Sequence, residues 1–465
     1  MVYHTSGAGL VTPAGLGHRM IIRAWRPSLA LLAFVAIGAC SDNVPTSNPP
    51  GEVPIPAVGT GSVVNVTGAQ GSWQLTVNGS PWVVKGAAWG PDISTTTVDG
   101  LMADVQSLGI NTIRTWGTGT TTQTLLDAAA PKGIKVVMGL WLQQDVAYAT
   151  NQAYKTAALE DIKRLVIAFR DHPGVLMWDV GNEVILSLQD HYTGNALEAN
   201  RVAYAQFVDQ VASAIHVIDP HHPVTSTDAY TGAWAYYKAY ATSLDLLAVN
   251  AYGGACSVKK DWLAGGYTKP YIITEWGNRG EWEVPTDANG VPTEPSDVEK
   301  RDAYPATWAC ISNHPGVALG GTLFIYGDKE DFGGVWFNLK DIGARRLSYY
   351  AVKQMYTGQP LTDNTPPQIQ SMTLGQSANI KAGTKFTVNV GVLDPDGDPV
   401  TYALKLNSKY INKSSGVSNA TYTQTGPGTF SVTAPSTAGV WKLYVYASDG
   451  KGNVGIDSRS FGVVP

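Results

Sequence analysis

The sequence is poor in basic residues and lacks the motifs that bind nucleotides or catalytic metals. Lysine and arginine number 32 against 37 aspartates and glutamates, which gives a formal net charge of -5. Since no basic cluster is present to hold phosphate groups, nucleic acid is not an expected partner. There is also no Gly-x-Gly-x-x-Gly after a strand-like run, no phosphate-binding loop and no His-Glu-x-x-His. We therefore expect neither a cofactor nor a metal in the functional site.

Cysteine is scarce, and the three cysteines are Cys40, Cys256 and Cys310. An exported chain could oxidise Cys256 and Cys310 to one disulfide. Pairing also requires the two Cα atoms to lie within about 7 Å, a separation that the sequence does not show. One disulfide and two free thiols both remain open.

The apolar run near the amino terminus is too short to span a bilayer. It extends from Leu29 to Ala39 and follows two arginines, which is the layout of a secretory signal. Its end, Ile37-Gly-Ala-Cys40, resembles the lipobox of bacterial lipoproteins, whose cysteine is lipidated and begins the mature chain. The resemblance implies a signal peptide over 1–40 and an exported protein anchored to a membrane through Cys40, at the outer membrane or cell surface. The alternative is a secreted protein cleaved near Ala39.

Residues 41–60 are rich in Pro, Ser, Asn and Gly, a composition that cannot bury enough apolar surface to order itself. They are expected to form a flexible tether between the membrane and the folded part of the chain. The stretch before Met20 has neither helical nor strand-like periodicity. The sequence leaves open whether translation starts at Met1 or at Met20.

Residues 61–360 alternate strand-like and helical runs at the spacing of β/α units. The segment opens with a hairpin signal, Asn78-Gly79, because both residues tolerate positive φ, and this hairpin is expected to close the bottom of the barrel that follows. Eight predicted strands make this a (β/α)8 TIM barrel of the α/β class. The predicted strands are Val83 to Trp89, Thr112 to Trp116, Ile134 to Trp141, Val175 to Trp178, Pro223 to Thr227, Leu246 to Tyr252, Tyr271 to Thr274 and Ala318 to Tyr326.

Two of the predicted strands are followed by a glutamate. Glu183 comes after the fourth strand and Glu275 after the seventh, and the carboxyl ends of barrel strands form the face that carries the chemistry. Cleavage of a glycosidic bond with retention needs one carboxylic acid and one attacking carboxylate, held about 5 Å apart. A lone Asn-Glu after a core strand is usually a loop residue, but the second glutamate in matching context favours catalysis.

Both segments resemble clan A retaining glycoside hydrolases. His172-Pro-Gly-Val-Leu-Met-Trp-Asp-Val-Gly-Asn-Glu183 is similar to the acid/base segment of family 2 β-galactosidases and β-glucuronidases, and Ile272-Ile-Thr-Glu-Trp-Gly277 to their nucleophile segment. Ile113-Arg-Thr-Trp-Gly117 is closer to mannanases and related family 5 enzymes. Asn111-Thr-Ile-Arg114 is shared with the fungal-type β-1,3-glucan transglycosylases. The resemblance covers about residues 70–358.

Five residues are assigned to the predicted catalytic site. By the resemblance, Glu275 is the nucleophile, Glu183 is the acid/base, Asn182 bonds the sugar 2-hydroxyl and Tyr252 holds Glu275. Arg114, at the end of the second strand, is the candidate cation that would keep Glu275 ionised. A surface ion pair is the other explanation for an arginine at this position.

Aromatic residues are abundant, with 14 tryptophans and 22 tyrosines. Indole rings stack on the faces of sugars as well as in protein cores, so the excess favours a carbohydrate ligand. Five rings fall at the carboxyl ends of predicted strands and are predicted, as a set, to bind substrate. They are Trp89, Trp116, Trp141, Trp276 and Tyr326.

Residues 363–465 begin within the linker Thr362-Asp-Asn-Thr-Pro-Pro367, and beyond it the pattern changes to short alternating runs separated by turns. This pattern predicts a small all-β sandwich. It resembles the immunoglobulin-like and cadherin-like modules of secreted enzymes, with a role in spacing or glycan binding. Asp394-Pro-Asp-Gly-Asp398 is interpreted as a polar turn, with a calcium site as the alternative.

The predicted function is a monomeric retaining β-glycoside hydrolase acting on a β-linked glucan or a related polysaccharide or oligosaccharide. A transglycosylase would use the same residues, with a second sugar in place of water. An endo-β-mannanase is a further alternative of the same chemistry. From a different class, a glycan-binding lipoprotein without turnover remains open, although the presence of both glutamates argues against it.

Overall fold

A small antiparallel sheet comes first in the part of the chain that the computed structural model describes, residues 61–327, 335–412 and 416–465. Its strands are β1 (Val64–Thr67), β2 (Gln74–Val77) and β3 (Ser80–Pro81), and the turn residues Asn78 and Gly79 both have positive φ. The apolar side chains of this sheet share one buried cluster with residues near the starts of several barrel strands. The hairpin therefore covers the amino-terminal end of the barrel. The predicted signal peptide, lipidation site and tether lie outside the described residues.

Eight parallel strands close into a barrel, and each pairs with the next in sequence while the last pairs with the first. The predicted TIM barrel is thereby confirmed. Because helices cover the outside of the barrel, every residue of the fourth barrel strand is buried. The strands are β4 (Val84–Trp89), β5 (Thr112–Arg114), β6 (Lys135–Leu140), β7 (Val175–Asn182), β8 (Val224–Asp228), β9 (Leu247–Asn250), β10 (Tyr271–Trp276) and β11 (Ala318–Tyr326).

Helices surround the barrel and pack their apolar faces on its strands. In the helix Gln152–Phe169, the side chains of Ile162, Val166 and Phe169 are buried. The Asn151 side chain caps the start of this helix by accepting the Tyr154 N–H at 3.0 Å. Within the described residues, none of the helices combines the length and the apolar character needed to span a bilayer. The helices are α1 (Val98–Ser107), α2 (Thr122–Ala129), α3 (Gln152–Phe169), α4 (Val184–Ser187), α5 (Gly194–Ile218), α6 (Trp234–Tyr240), α7 (Val258–Ala264), α8 (Asp297–Ser312) and α9 (Leu347–Thr357).

Cys256 and Cys310 form a disulfide, with their Cα atoms 5.0 Å apart. Cys256 lies in the short 3-10 turn before α7, and Cys310 lies in the last part of α8. The question that the sequence left open is therefore answered in favour of pairing. The bond ties this turn to α8, and α7, β10 and the long loop after β10 lie between them along the chain.

The carboxyl-terminal part folds into two sheets that share one apolar core, and their strands are antiparallel apart from the parallel pair of Ile380–Lys381 and Val454–Val464. A short pair, β12 (Lys340–Asp341) and β13 (Ala344–Arg345), precedes α9 and is separate from them. This arrangement agrees with the predicted β-sandwich, while the immunoglobulin-like or cadherin-like identity stays a prediction. The strands are β14 (Gln368–Leu374), β15 (Ile380–Lys381), β16 (Lys385–Leu393), β17 (Thr401–Asn407), β18 (Val417–Asn419), β19 (Tyr422–Gly426), β20 (Thr429–Thr433), β21 (Gly439–Ser448) and β22 (Val454–Val464), with α10 (Lys409–Asn412) between β17 and β18.

The Asp394 to Asp398 segment forms a turn held by its own side chain. Asp394 Oδ1 accepts the N–H groups of Asp396 and Asp398, each at 3.0 Å. Asp449 brings a third carboxylate, so that oxygens of Asp394, Asp398 and Asp449 lie within 4.8 Å of one another. The turn that the sequence indicated is present, and the calcium alternative remains a prediction.

The barrel and the sandwich meet at a buried cluster of charges. Glu294, in the loop before α8, accepts hydrogen bonds from Lys300 at 2.6 Å and from Lys442 of β21 at 2.5 Å. Burial alone would raise the pKa of Glu294, but the two ammonium groups lower it below its usual range. Asp297 pairs with Arg346 and accepts the Ile456 N–H of β22 at 2.9 Å. The two parts are thus joined by paired, buried charges as well as by the linker.

Candidate active site

Glu275 lies near the end of β10 and is held by three hydrogen-bond donors from the ends of two other strands, β5 and β9. Its Oε1 accepts Arg114 Nη1 at 2.8 Å and Trp116 Nε1 at 2.7 Å. Its Oε2 accepts the Tyr252 hydroxyl at 2.6 Å. The side chain is almost entirely buried, so these donors fix its orientation and prevent it from turning away from the cleft.

Arg114 is fully buried at the end of β5, which rules out the surface ion pair considered from the sequence. Its Nε donates to Asp179 Oδ2 at 3.0 Å and its Nη2 to Asn182 Oδ1 at 2.8 Å. One guanidinium therefore joins β5, β7 and β10. The guanidinium is planar and its N–H groups point in fixed directions, so it sets the position of Glu275 relative to Asn182. It also compensates the charges of the buried carboxylates of Asp179 and Glu275.

Glu183 follows β7 with a backbone φ of 54°, in the left-handed region. Its Oε1 accepts Asn250 Nδ2 at 2.7 Å. Burial and the nearby negative charge of Glu275 raise the pKa of Glu183 to about 8, against the opposing effect of the Asn250 hydrogen bond. Glu183 therefore carries a proton at neutral pH, which is the state that a general acid requires.

The strand end before Glu183 is bent by Gly181, which has a φ of 72°. A Cβ atom at this position would lie 2.3 Å from the Tyr204 hydroxyl, so only glycine fits between strand and helix. After Glu183, the Asp228 carboxylate of β8 accepts the N–H groups of Ile185 at 2.8 Å and Leu186 at 3.3 Å, at the start of α4. The backbone is therefore fixed both before and after Glu183.

A chain of polar side chains links the strand ends beneath the two glutamates. Asn250 Oδ1 accepts the Thr274 hydroxyl at 2.9 Å, and Thr227 donates to Asp179 at 2.8 Å. Asn250 and Asp179 contact the predicted site residues directly but were not assigned from the sequence. A signal was available for each, since Asp179 lies within the segment leading to Glu183 and Asn250 lies two residues before Tyr252.

The five aromatic residues predicted as a set do not lie together. Trp116 reaches Glu275, and Trp141 is half-buried just after β6. Trp276 is fully buried and packs on Trp308 of α8 at 5.9 Å between ring centroids.

Trp89 and Tyr326 stack on each other at 5.6 Å, and both are buried. The prediction that Trp89, Trp276 and Tyr326 stack on sugars is corrected by their burial, since none offers an exposed ring face. The reason for Trp276 is alternation along β10, because the residue after an inward Glu275 points outward to the helices.

Trp282 is an aromatic residue that the sequence did not assign to the site. It lies in the loop after β10 and is 48% exposed. Its ring centroid lies 5.3 Å from that of Tyr252 and 6.3 Å from that of Phe337. Tyr252, Phe324 and Phe337 also contact one another, so an aromatic wall runs from Glu275 to Trp282. The position of Trp282 could not be read from its loop sequence.

Comparison with known proteins shows that the barrel is similar to those of glycoside hydrolases. Residues 124–308, about two fifths of the chain, match the family described as Glycosyl hydrolases family 2, TIM barrel domain. The match includes both Glu183 and Glu275, and it agrees with the family 2 resemblance of the two segments. The barrel resembles that of family 2 glycoside hydrolases, and clan A fits its strand positions. No curated protein matches the chain.

Solved structures with a similar fold include two beta-glucuronidases. A Bacteroides uniformis beta-glucuronidase 2, covalently bound to cyclophellitol-6-carboxylate aziridine, aligns with a TM-score of 0.52 and 13% identity over 87% of this chain and 48% of that chain. An FMN-binding beta-glucuronidase from Facaelibacterium prausnitzii aligns with a TM-score of 0.50 and 15% identity, over 87% of this chain and 59% of that one. The chain thus spans about half the length of these relatives, and the likeness concerns the fold.

Proposed function

We propose that the protein is a retaining β-glycoside hydrolase that works by double displacement, with Glu275 as the nucleophile and Glu183 as the acid/base. The observation that carries the proposal is the contrast between two neighbouring carboxyl groups. Glu275 accepts three hydrogen bonds, one of them from a guanidinium. Glu183 has a pKa raised to about 8 by burial and by the charge of Glu275. Environments that separate two carboxyl groups in this way assign one to attack and the other to proton donation.

In the first step Glu275 attacks the anomeric carbon while Glu183 gives its proton to the leaving oxygen. The glycosyl-enzyme ester that forms carries no charge on Glu275. Since that charge is one cause of the raised pKa of Glu183, the pKa falls at this stage. Glu183 can then accept a proton from the incoming water, which releases the sugar with retained configuration and restores both groups.

The proposed substrate is a β-linked glucan or a related oligosaccharide. The aromatic wall beside Glu275 supports a carbohydrate with several rings, because aromatic faces pack on the C–H faces of sugars. The relatives named above are beta-glucuronidases, so a uronic acid at the cleaved position is the competing choice of sugar. Aryl β-glycosides of glucose, galactose, mannose and glucuronic acid distinguish these choices.

The catalytic assignment is tested by Glu275→Gln and Glu183→Ala, assayed on the aryl β-glycoside that the wild type cleaves fastest. We expect Glu275→Gln to lose at least about a thousandfold in kcat, because the attacking group is gone. We expect Glu183→Ala to lose about 100- to 10,000-fold on a glycoside with a poor leaving group, and much less where the leaving group needs no proton.

Glu160→Gln, at an exposed ion pair on α3, is the matched control and should keep wild-type rates. Unchanged hydrolysis in either active-site variant would contradict the assignment. Products longer than an oligosaccharide substrate would show transglycosylation by the same two residues.

We also propose that the protein is a monomeric, exported lipoprotein anchored through Cys40. Support comes from the lipobox-like Ile37-Gly-Ala-Cys40 and the apolar run before it. Metabolic labelling with palmitate should mark the wild type and not Cys40→Ala. Equal labelling of the two would contradict the anchor.

A further inference from the structure

We propose that Trp282 binds a second sugar ring, next to the one attacked by Glu275, and that the carboxyl-terminal sandwich holds Trp282 in place through the ion pair between Lys409 and Glu281. Trp282 would contact substrate, whereas Glu281 and Lys409 would be positioning residues. The inference rests on the proposed function, since it assigns a substrate ring to the same cleft. It gives the sandwich a part in substrate binding, beyond a role as a spacer.

Trp282 lies directly beyond a residue that holds the nucleophile. The edge of one ring meets the face of the other at the Trp282 and Tyr252 contact, with an angle of 85° between the planes. The Tyr252 hydroxyl donates to Glu275 Oε2. Glu275 is buried while Trp282 is 48% exposed, so the indole lies toward solvent from the attacked ring. An exposed indole at this place has the apolar area that stacking on a sugar requires.

Glu283 fastens the barrel side of the loop. Its Oε2 accepts the Gly253 N–H at 3.0 Å and the Gly280 N–H at 2.8 Å. Gly253 directly follows Tyr252, so Glu283 ties the Trp282 segment to the strand end that positions the nucleophile. Two N–H donors on one carboxylate oxygen make this a strong local restraint.

Glu281 fastens the other side of the loop to the sandwich. Lys409 Nζ lies 2.7 Å from Glu281 Oε1 and 2.8 Å from Oε2, and both side chains are only 22% exposed. Lys409 begins α10, where its backbone N–H donates to Asn407 Oδ1 at 2.8 Å. Trp282 therefore lies between two anchored glutamates, one held by the barrel and one by the sandwich.

The rest of the same loop also contacts the sandwich. Asn289 Nδ2 donates to the Ser377 carbonyl at 3.2 Å and to Ser460 Oγ at 2.7 Å. The Ser460 hydroxyl in turn donates to Asp287 Oδ2 at 2.6 Å. The loop from 277 to 296 thus bridges the two parts of the molecule. Its conformation near Glu275 depends on the sandwich.

The test compares two substrates of the sugar whose aryl glycoside the wild type cleaves fastest, namely its β-linked trisaccharide and its β-glycosyl fluoride. The fluoride has one ring and a single-atom leaving group, so it cannot use a second-ring contact. In Trp282→Ala the ratio of kcat/KM for the trisaccharide to kcat/KM for the fluoride should fall about tenfold, mainly through KM. Trp282→Phe should recover part of the ratio. An unchanged ratio in Trp282→Ala would overturn the role of this ring.

The sandwich contact is tested by Lys409→Met, for which the same ratio should fall about threefold, as expected for one partly exposed ion pair. The charge exchange Glu281→Lys with Lys409→Glu should restore the ratio, which a purely structural effect of either substitution would not do. Lys353→Met is the matched control, because Lys353 pairs with Asp363 at 2.6 Å outside this loop.

If Lys409→Met keeps the wild-type ratio, or if the exchange fails to restore it, the sandwich does not position Trp282. Failure of the proposed function looks different. In that case the wild type would cleave none of the aryl glycosides, and no ratio could be measured for any variant.

Discussion

Glu183 has two features that each cost free energy. Its backbone is in the left-handed region, which is uncommon for a residue with a side chain, and its carboxyl group is close to a second carboxylate. Neither feature helps the fold. Both help a proton donor, because the bend aims the side chain and the neighbouring charge keeps the proton on it. Strain and a displaced pKa at the same residue are typical of a functional site.

The raised pKa of Glu183 predicts the alkaline side of the pH profile. A carboxyl group whose pKa is raised from 4.5 to about 8 keeps its proton up to that pH and loses it above. We therefore expect kcat/KM of the wild type to fall as pH rises through about 8, because the general acid is then ionised. The measurement is a pH series with an aryl β-glycoside. In Glu183→Ala this fall should disappear, and its persistence would show that another group titrates there.

Some site residues were predictable because strand ends in a barrel converge. Glu183, Glu275, Arg114 and Tyr252 could be brought together from their places at the ends of barrel strands. In the structure Arg114 and Tyr252 donate hydrogen bonds to Glu275, and the charge of Glu275 acts on Glu183. The direction in which a side chain points was not predictable at the same level. A shift of one residue along the strand decides whether a side chain such as that of Trp276 faces the cleft or the helices. The end of a strand is predicted from sequence with an error of at least one residue.

At the scale of elements, the barrel strands were predictable because each is a short apolar run between helical patterns. β7 is the instructive exception. The structure extends it to Asn182, beyond the apolar residues that marked it, because Asp179 is paired inside the barrel with Arg114 and Thr227. A buried polar residue with a partner looks like a loop residue in the sequence, since the partner lies on another strand.

The loop from 277 to 296 shows the limit of prediction from local sequence. It contains no regular strand or helix of its own, and its conformation depends on contacts with residues more than 80 positions later, such as Ser377 and Lys409. The sequence showed only a long loop with several carboxylates. Lys409 and Gly253, which hold Glu281 and Glu283, belong to other parts of the chain, so a role for Trp282 between them could not be inferred beforehand.

At the scale of the whole molecule, the contact between the barrel and the sandwich is built around charges without access to solvent. Glu294, Lys300 and Lys442 are each at most 8% exposed. Such a cluster is expensive to desolvate and is stable only while every charge keeps its partner. It therefore makes the contact specific, because a displaced sandwich would leave the charges unpaired. The same contact supports the loop that carries Trp282.

Glu294→Gln should destabilise the molecule by leaving Lys300 and Lys442 without their shared anion. We expect the free energy of unfolding at pH 7 to fall by about 3 kcal/mol, measured by denaturant titration. Because the pKa of Glu294 is lowered in the folded state, its stabilisation is present above the unfolded value near 4.5 and is lost as pH falls through the folded value. The difference between wild type and variant should therefore shrink below pH 4.5. Glu160→Gln should leave the free energy of unfolding unchanged at either pH. A Glu294→Gln protein as stable as the wild type at pH 7 would mean that the cluster does not hold the sandwich to the barrel.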